Sequence, residues 1–238
     1  MTAQGFPAGP PQQTGSDFDR AAAWGVRSTH EPRWPAVVAV GAAMALQWVL
    51  PDTVITGLGP RWFIPSLEGA FALALLAASP DHSKQNARLR MASIAMIGIV
   101  NVANLVSLGE LVVRLVNGTT HAAGRALVFA SLPIWLTNVI VFGLWYWELD
   151  RGGPAARLRA EHRAPDFLFP QMSTAGAKPG WAPNFVDYLY TSFTNATAFS
   201  PTDTMPLTTW AKLLMMLQSF ASLVTVALVF SRAINILG

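Results

Sequence analysis

From Asp187 the chain reads Asp-Tyr-Leu-Tyr-Thr-Ser-Phe-Thr-Asn-Ala-Thr, breaks at Ser200-Pro201-Thr202-Asp203, and then stays apolar-rich from Leu207 to Leu237. A short amphipathic helix, a polar turn and a long apolar helix in that order predict a re-entrant hairpin. Non-helical backbone at membrane depth survives only where protein or a water-filled cavity covers it. Such a hairpin belongs to an ion pathway or to helix packing, and it requires a membrane protein around it.

The rest of the chain has the same character. Of its 238 residues 52% are apolar and only 12% charged, against about 25% charged in soluble domains. The charges gather in short segments that separate long stretches nearly free of them, as spans and loops do. There is no cysteine, which excludes disulfides, thiolate metal sites and a cysteine nucleophile. The net charge is +3, and the basic residues lie at the borders of apolar runs, where they set topology; nucleic acid is not an expected partner. Arginine outnumbers lysine and alanine is abundant, a composition that suggests a GC-rich bacterial genome and hence the bacterial inner membrane.

The fold class expected is an all-α membrane protein of about five transmembrane helices plus a re-entrant half-helix before the last. Residues 1–33, with Pro, Gly and Gln and no apolar core after a basic start, predict a disordered tail rather than a signal peptide. Residues 34–149 hold four spans: Trp34 to Leu50, Trp62 to Ala78, Met91 to Val116 and Arg125 to Leu149. The first is short for a core that needs about 20 residues. Residues 150–183, basic and proline-bounded around Phe167-Leu168-Phe169, are expected as a loop lying on the membrane interface. Residues 184–238 hold the hairpin and a final span, Leu207 to Leu237, about 46 Å long as a helix and so tilted or projecting. Trp34, Trp48, Trp62, Trp145, Trp147 and Trp210 fall near these span ends, where indole rings favour the headgroup level, whereas Trp135 is mid-span and is expected between helices.

Lysine and arginine counts orient the chain. Eleven fall in the tail, in the 84–90 loop and in the long loop, and four (Arg61, Arg114, Arg125 and Arg232) on the opposite side. This places the first set, with the N-terminus, in the cytoplasm and has the hairpin enter from that face.

The last fifty residues resemble the pore domain of the potassium-channel superfamily. Asp187 to Phe193 match its aromatic-rich pore helix, Thr197 to Asp203 fall where its Thr-Thr-Val-Gly-Tyr-Gly-Asp filter stands, and Pro206, Thr208, Ala211 and Lys212 continue in register. The segment also looks like that of an uncharacterised bacterial inner-membrane family carrying an Asp-(Tyr/Phe)-Leu-Tyr-x-Ser-Phe-Thr stretch and a later Ser/Thr-Asp. The filter itself is lost. Ser200 and Thr202 replace the two glycines and Pro201 the tyrosine, and proline fixes φ near −65°. A ring of carbonyls replacing an ion's water shell is therefore not expected. Potassium channels insert this hairpin from outside; ionotropic glutamate receptors carry a related one from the cytoplasmic side.

The candidate pathway residues are Asn195, Thr197, Ser200, Thr202 and Asp203 of the hairpin, and Gln218, Ser222 and Thr225, which share one face of the last span at i, i+4 and i+7. Each has a structural alternative. Asp203 could form an acidic ring in an oligomer, or accept local N–H bonds or favour the start of the final helix. Thr194, Asn195 and Thr197 could line a path or bond backbone where the helix breaks. The Gln218 face could line a pore or pack closely against a neighbour. Glu110 and Arg114, four apart, suit a structural ion pair. Glu68, a lone acid inside the second span, is a functional candidate by default, with Asn101, Asn104 or Asn138 as possible partners. His30, His82, His121 and His162 are scattered, so no metal or cofactor is expected, and no nucleophile or nucleotide motif suggests an enzyme.

These residues lead to an oligomeric, cation-permeable channel without potassium selectivity. The alternative is a non-conducting structural protein whose basic loop, Arg151 to Lys178, meets anionic lipid or a partner. A solute transporter using Glu68 is a third reading.

Overall fold

The computed structural model describes residues 34–49, 62, 65–66, 69–70, 87–117, 121–157, 164–174, 181–197 and 203–237. These are mostly helical. The long elements are α1 (Trp34–Val49), α2 (Ala87–Val116), α3 (His121–Leu149), α6 (Phe185–Thr197) and α7 (Thr209–Leu237). Two single-turn helices, α4 (Pro154–Arg157) and α5 (Pro170–Ser173), and two short strands, β1 (Phe167–Leu168) and β2 (Met205–Pro206), lie between α3 and α7.

Three helices, α2, α3 and α7, are long and apolar enough to cross a membrane, through Arg90–Val113, Phe129–Gly152 and Thr209–Val229. Their 29 or 30 residues make rods of about 45 Å, which exceed a hydrocarbon core of about 30 Å and must tilt or project. The 16 residues of α1 reach only about 24 Å. Its second residue is Pro35, which suits a first helical turn because the missing N–H would have no partner there. The expected second span, Trp62 to Ala78, falls largely outside the described residues, as does the 1–33 tail.

The three long helices alternate in direction. Arg90 faces Glu148 at 4.0 Å, Gly98 lies against Trp145, and Leu108 and Leu111 cluster with Ala130 and Ile134, so α2 and α3 are antiparallel. Ser222 meets Asn138 and Ala221 meets the Ala130–Ile134 patch, so α7 is antiparallel to α3. One end of the bundle, here the near end, therefore carries Arg90, Asp150 and the start of α7. Arg90, near the start of α2, and Arg151 and Arg157, just after α3, share that end.

At the near end α3 stops in a 3-10 turn, Asp150–Gly152, followed by Gly153. Arg151, Gly152 and Gly153 take φ of 53°, 85° and 95°, the left-handed region that favours glycine. Gly153 admits no other residue without rearrangement, since a Cβ there would stand 2.8 Å from the Glu148 carbonyl oxygen. Arg157 then folds back and donates to the carbonyls of Trp147 and Asp150, at 2.8 and 2.9 Å, closing the helix end that α3 leaves open.

The described residues between 150 and 183 are thus more than a surface loop. Arg151 and Arg157 are buried, at 7% and 4% exposure, and Phe167 is the centre of an aromatic cluster with ring centroids 5.0 Å from Tyr146, 5.8 Å from Trp210 and 6.4 Å from Tyr188. β1 and β2 pair antiparallel, Phe167 opposite Pro206 and Leu168 opposite Met205, and the Leu207 N–H donates to the Asp166 carbonyl at 2.8 Å. Trp147 also departs from its expected place at the headgroups: it is buried, edge-on to Phe185. Trp34, Trp48 and Trp62 are exposed. Trp135, expected between helices, meets Phe193 of α6 edge-on at 5.8 Å.

Candidate functional site

The site is built on α6. Its start is a reciprocal cap: the Asn184 side chain accepts the Val186 N–H at 2.9 Å and Asp187 reaches back to accept the Asn184 N–H at 2.8 Å, a capping-box arrangement. Burial pushes the Asp187 carboxyl above its usual range, opposed by the N–H bonds it accepts.

From there α6 descends along α3. Tyr188 donates to Asp150 at 2.5 Å, Leu189 lies against Gly143, Ser192 donates to the Val139 carbonyl at 2.6 Å, and Phe193 reaches Trp135. Gly143 sets how close the two helices come, because a Cβ there would stand 3.2 Å from the Leu189 Cα. We expect Gly143→Val to cost about 1–3 kcal/mol through overpacking, read as a lowered melting temperature in detergent; an unchanged melt would mean that α6 is not seated on α3.

Near its C-terminal end α6 meets α7 in a buried polar lattice. Gln218 is fully buried. Its Oε1 accepts from the Tyr146 hydroxyl at 2.6 Å and from Asn195 Nδ2 at 2.8 Å, and its Nε2 donates to the Ser192 carbonyl and hydroxyl at 2.9 and 2.6 Å. Asn195 also donates to the Met215 carbonyl at 3.0 Å and its Oδ1 accepts from Ser219 at 3.1 Å. Thr194 and Thr197 bond carbonyls of their own helix.

After residues 198–202 the chain is next to α6 again, where the Thr191 hydroxyl donates to that of Thr204 at 3.1 Å. It then rises through β2 to α7 at the near end. The near end is tied together by two carboxylates. Asp150 is fully buried and accepts from Tyr188, from Arg151 Nε at 3.1 Å and from the Asp166 N–H at 2.8 Å. Asp166 in turn accepts from the Arg151 N–H at 2.8 Å and from the Trp210 indole at 2.9 Å. Arg157 covers the Tyr188 ring, 5.2 Å from its centroid.

The sequence candidates divide accordingly. Asn195 and Gln218 are brought into direct contact, and Thr197 ends α6 two residues, about 3 Å, further on. Ser222 accepts from Asn138 Nδ2 at 2.9 Å and Thr225 bonds the Ala221 carbonyl of its own helix; both are buried. The Gln218–Ser222–Thr225 face is therefore turned inward against α3 and α6, as close packing requires. Asp203 is exposed and six residues before α7, too far to cap that helix. Ser200, Thr202 and Glu68 lie outside the described residues, as does the Arg114 side chain, so the transporter reading and the Glu110–Arg114 pair gain no geometry. Among the described residues no group of three His, Cys, Asp or Glu could hold a metal ion.

Tyr146, Asp150, Asp166, Tyr188 and Ser192 were not singled out from the sequence. A signal existed for two of them, since Tyr188, Ser192 and Asn195 recur at i, i+4 and i+7 on one face of α6. In comparisons with known proteins the chain matches no family model, no curated protein and no solved structure.

Proposed function

We propose that α6 and the chain returning to β2 form a re-entrant membrane hairpin, and that the protein is an oligomeric, cation-permeable channel of the bacterial inner membrane without a potassium-type filter. One observation carries the reading. Asn195 contacts Ser219, ten residues beyond the start of α7 and so about 15 Å along it, half of a 30 Å core; yet both the start of α6 and the start of α7 lie at the near end. The hairpin enters and leaves by one face.

The C-terminal end of α6 points inward, and helix C-termini favour cations through their free carbonyls. The path lies past Thr197 and exposed Asp203, because the polar face of α7 is occupied within the chain. In liposomes Asp203→Asn is expected to lower cation flux about ten-fold, the lower end of the range for charge focusing at a narrow site, with assembly unchanged. Wild-type flux in that variant removes Asp203 from the path.

A non-conducting structural role has an observation in its favour too: the Asn195 and Gln218 amides are consumed in bonds inside one chain. Wild-type liposomes no leakier than protein-free ones, with a stable monomer in mild detergent, would decide for it. Lipid contact through Arg151 and Arg157 is not part of that role, since both are buried.

A further inference from the structure

Two of the helices long enough to cross a membrane, α2 and α3, carry polar side chains near mid-span that their neighbours leave unsatisfied. Asn101 falls midway along Arg90–Val113 and Asn138 near the middle of Phe129–Gly152. Asn101, Thr137 and Asn138 are 8%, 2% and 3% exposed. Among the described residues, Asn101 Oδ1, Thr137 Oγ1, Asn138 Oδ1 and the Trp145 indole Nε1 are buried without a hydrogen-bond partner, although Asn138 Nδ2 donates to Ser222.

Register brings these atoms to one interface. On α2, Ile97, Asn101, Asn104 and Leu108 recur at i, i+4, i+7 and i+11; on α3, Ile134, Thr137, Val141 and Leu144 recur at i, i+3, i+7 and i+10. Ile97 and Val100 line a cavity with Val141 and Leu144, and Leu108 packs with Ile134. Antiparallel helices pinned at those two levels place Thr137 opposite the stretch from Asn101 to Asn104. Trp145 lies against Gly98, one turn before Asn101. Helical side chains lean toward their own N-terminus, so Asn101 and Trp145 lean toward each other.

Lipid offers these atoms no hydrogen bonds, and leaving them unsatisfied is costly. Three are oxygens that accept and one is an N–H that donates. Water matches both kinds, since it donates two bonds and accepts others. A bare cation matches the oxygens but not the indole, and the buried carboxylates, Glu148 and Asp150, stand at the near end, too far along α3 to offset its charge.

We propose that ordered water is bound near mid-span between α2 and α3, donating to the oxygens of Asn101, Thr137 and Asn138 and accepting from the Trp145 indole. Asn138 and Trp145 are seven residues, about 10 Å, apart along α3, so the site takes more than one molecule. It depends on α2 and α3 crossing the membrane, and neither on the hairpin nor on conduction.

Radiolytic hydroxyl labelling of the full chain in lipid nanodiscs tests this, because a water split in place marks the side chains beside it. Val100 and Val141 should be labelled several-fold more than Leu111 and Ile134, which are also buried, further along the same two helices. Asn101→Leu and Thr137→Val should each reduce that labelling. Thr137→Val keeps the side chain's shape and should raise the unfolded fraction several-fold, whereas removing a hydroxyl that has no partner would be neutral or stabilising. Labelling of Val100 and Val141 no higher than that of Leu111 and Ile134, labelling unchanged in both variants, or Thr137→Val as stable as wild type overturns the proposal. Labelling suppressed by added sodium or potassium also overturns it, by putting a cation in the water's place.

Discussion

Replacing Asp150 with alanine should lower the unfolding free energy by about 3–5 kcal/mol, the cost of removing one partner from a buried ionic cluster. The carboxylate is fully buried and serves three donors, the Tyr188 hydroxyl, Arg151 Nε and the Asp166 N–H. Alanine strands all three where water does not reach, and the arginine is the most expensive. The size of the effect distinguishes this from a surface ion pair, whose loss costs at most about 1 kcal/mol. Tyr188→Phe removes a single donor, leaves the carboxylate its other two, and should cost about 1–2 kcal/mol. Denaturant titration in micelles, followed by near-ultraviolet circular dichroism of the tryptophans, measures both. A loss below 1 kcal/mol for Asp150→Ala would show that water enters the near-end cluster and that it does not hold α3, α6 and α7 together.

That cluster also marks where the sequence was hardest to interpret. Apolar runs announced α2, α3 and α7 because hydropathy over some twenty residues is a one-dimensional property. The amphipathic α6 was legible for a similar reason: its inward row of buried Tyr188 and Ser192 and half-buried Asn195 follows the helical period. The 150–183 segment looked like an interfacial loop because five basic residues suggest solvent. Arg151 and Arg157 are nevertheless buried: Arg157 covers the ring of Tyr188, thirty-one residues on, and Arg151 bonds a carboxylate, Asp150, that is itself buried by Tyr188 and Asp166, and no local pattern encodes those distant contacts. Phe167 and Phe169 did carry a hint, two aromatics at strand spacing between prolines, and both are buried. The Gln218 face illustrates the opposite difficulty. Its shared side was visible in the spacing, but whether that side met water or protein depended on α6 standing beside it.

Gln218→Leu tests that packing and is expected to cost about 2–4 kcal/mol. Interhelical polar pairs in membranes average about 0.6 kcal/mol and the strongest reach about 1.7, so an ordinary contact would not produce such a loss. Gln218 is not ordinary: its oxygen accepts two bonds and its nitrogen donates two, the full capacity of an amide, at zero exposure. Leucine nearly conserves volume, so the loss reports polar groups left without partners rather than a cavity. Tyr146→Phe removes one of the four bonds and should cost about 1 kcal/mol, and the double variant should cost less than the sum, because residues in one network couple by about 0.5–3 kcal/mol. Additivity would mean that Tyr146 and Gln218 act separately. The same variant bears on function. Asn195 is held by Gln218 Oε1 and the Met215 carbonyl, so losing the first contact loosens the deep end of α6 where the proposed path begins. If the hairpin conducts, folded Gln218→Leu protein should show altered flux per assembled oligomer; if it only packs, stability falls while membrane permeability stays at that of protein-free liposomes in variant and wild type alike.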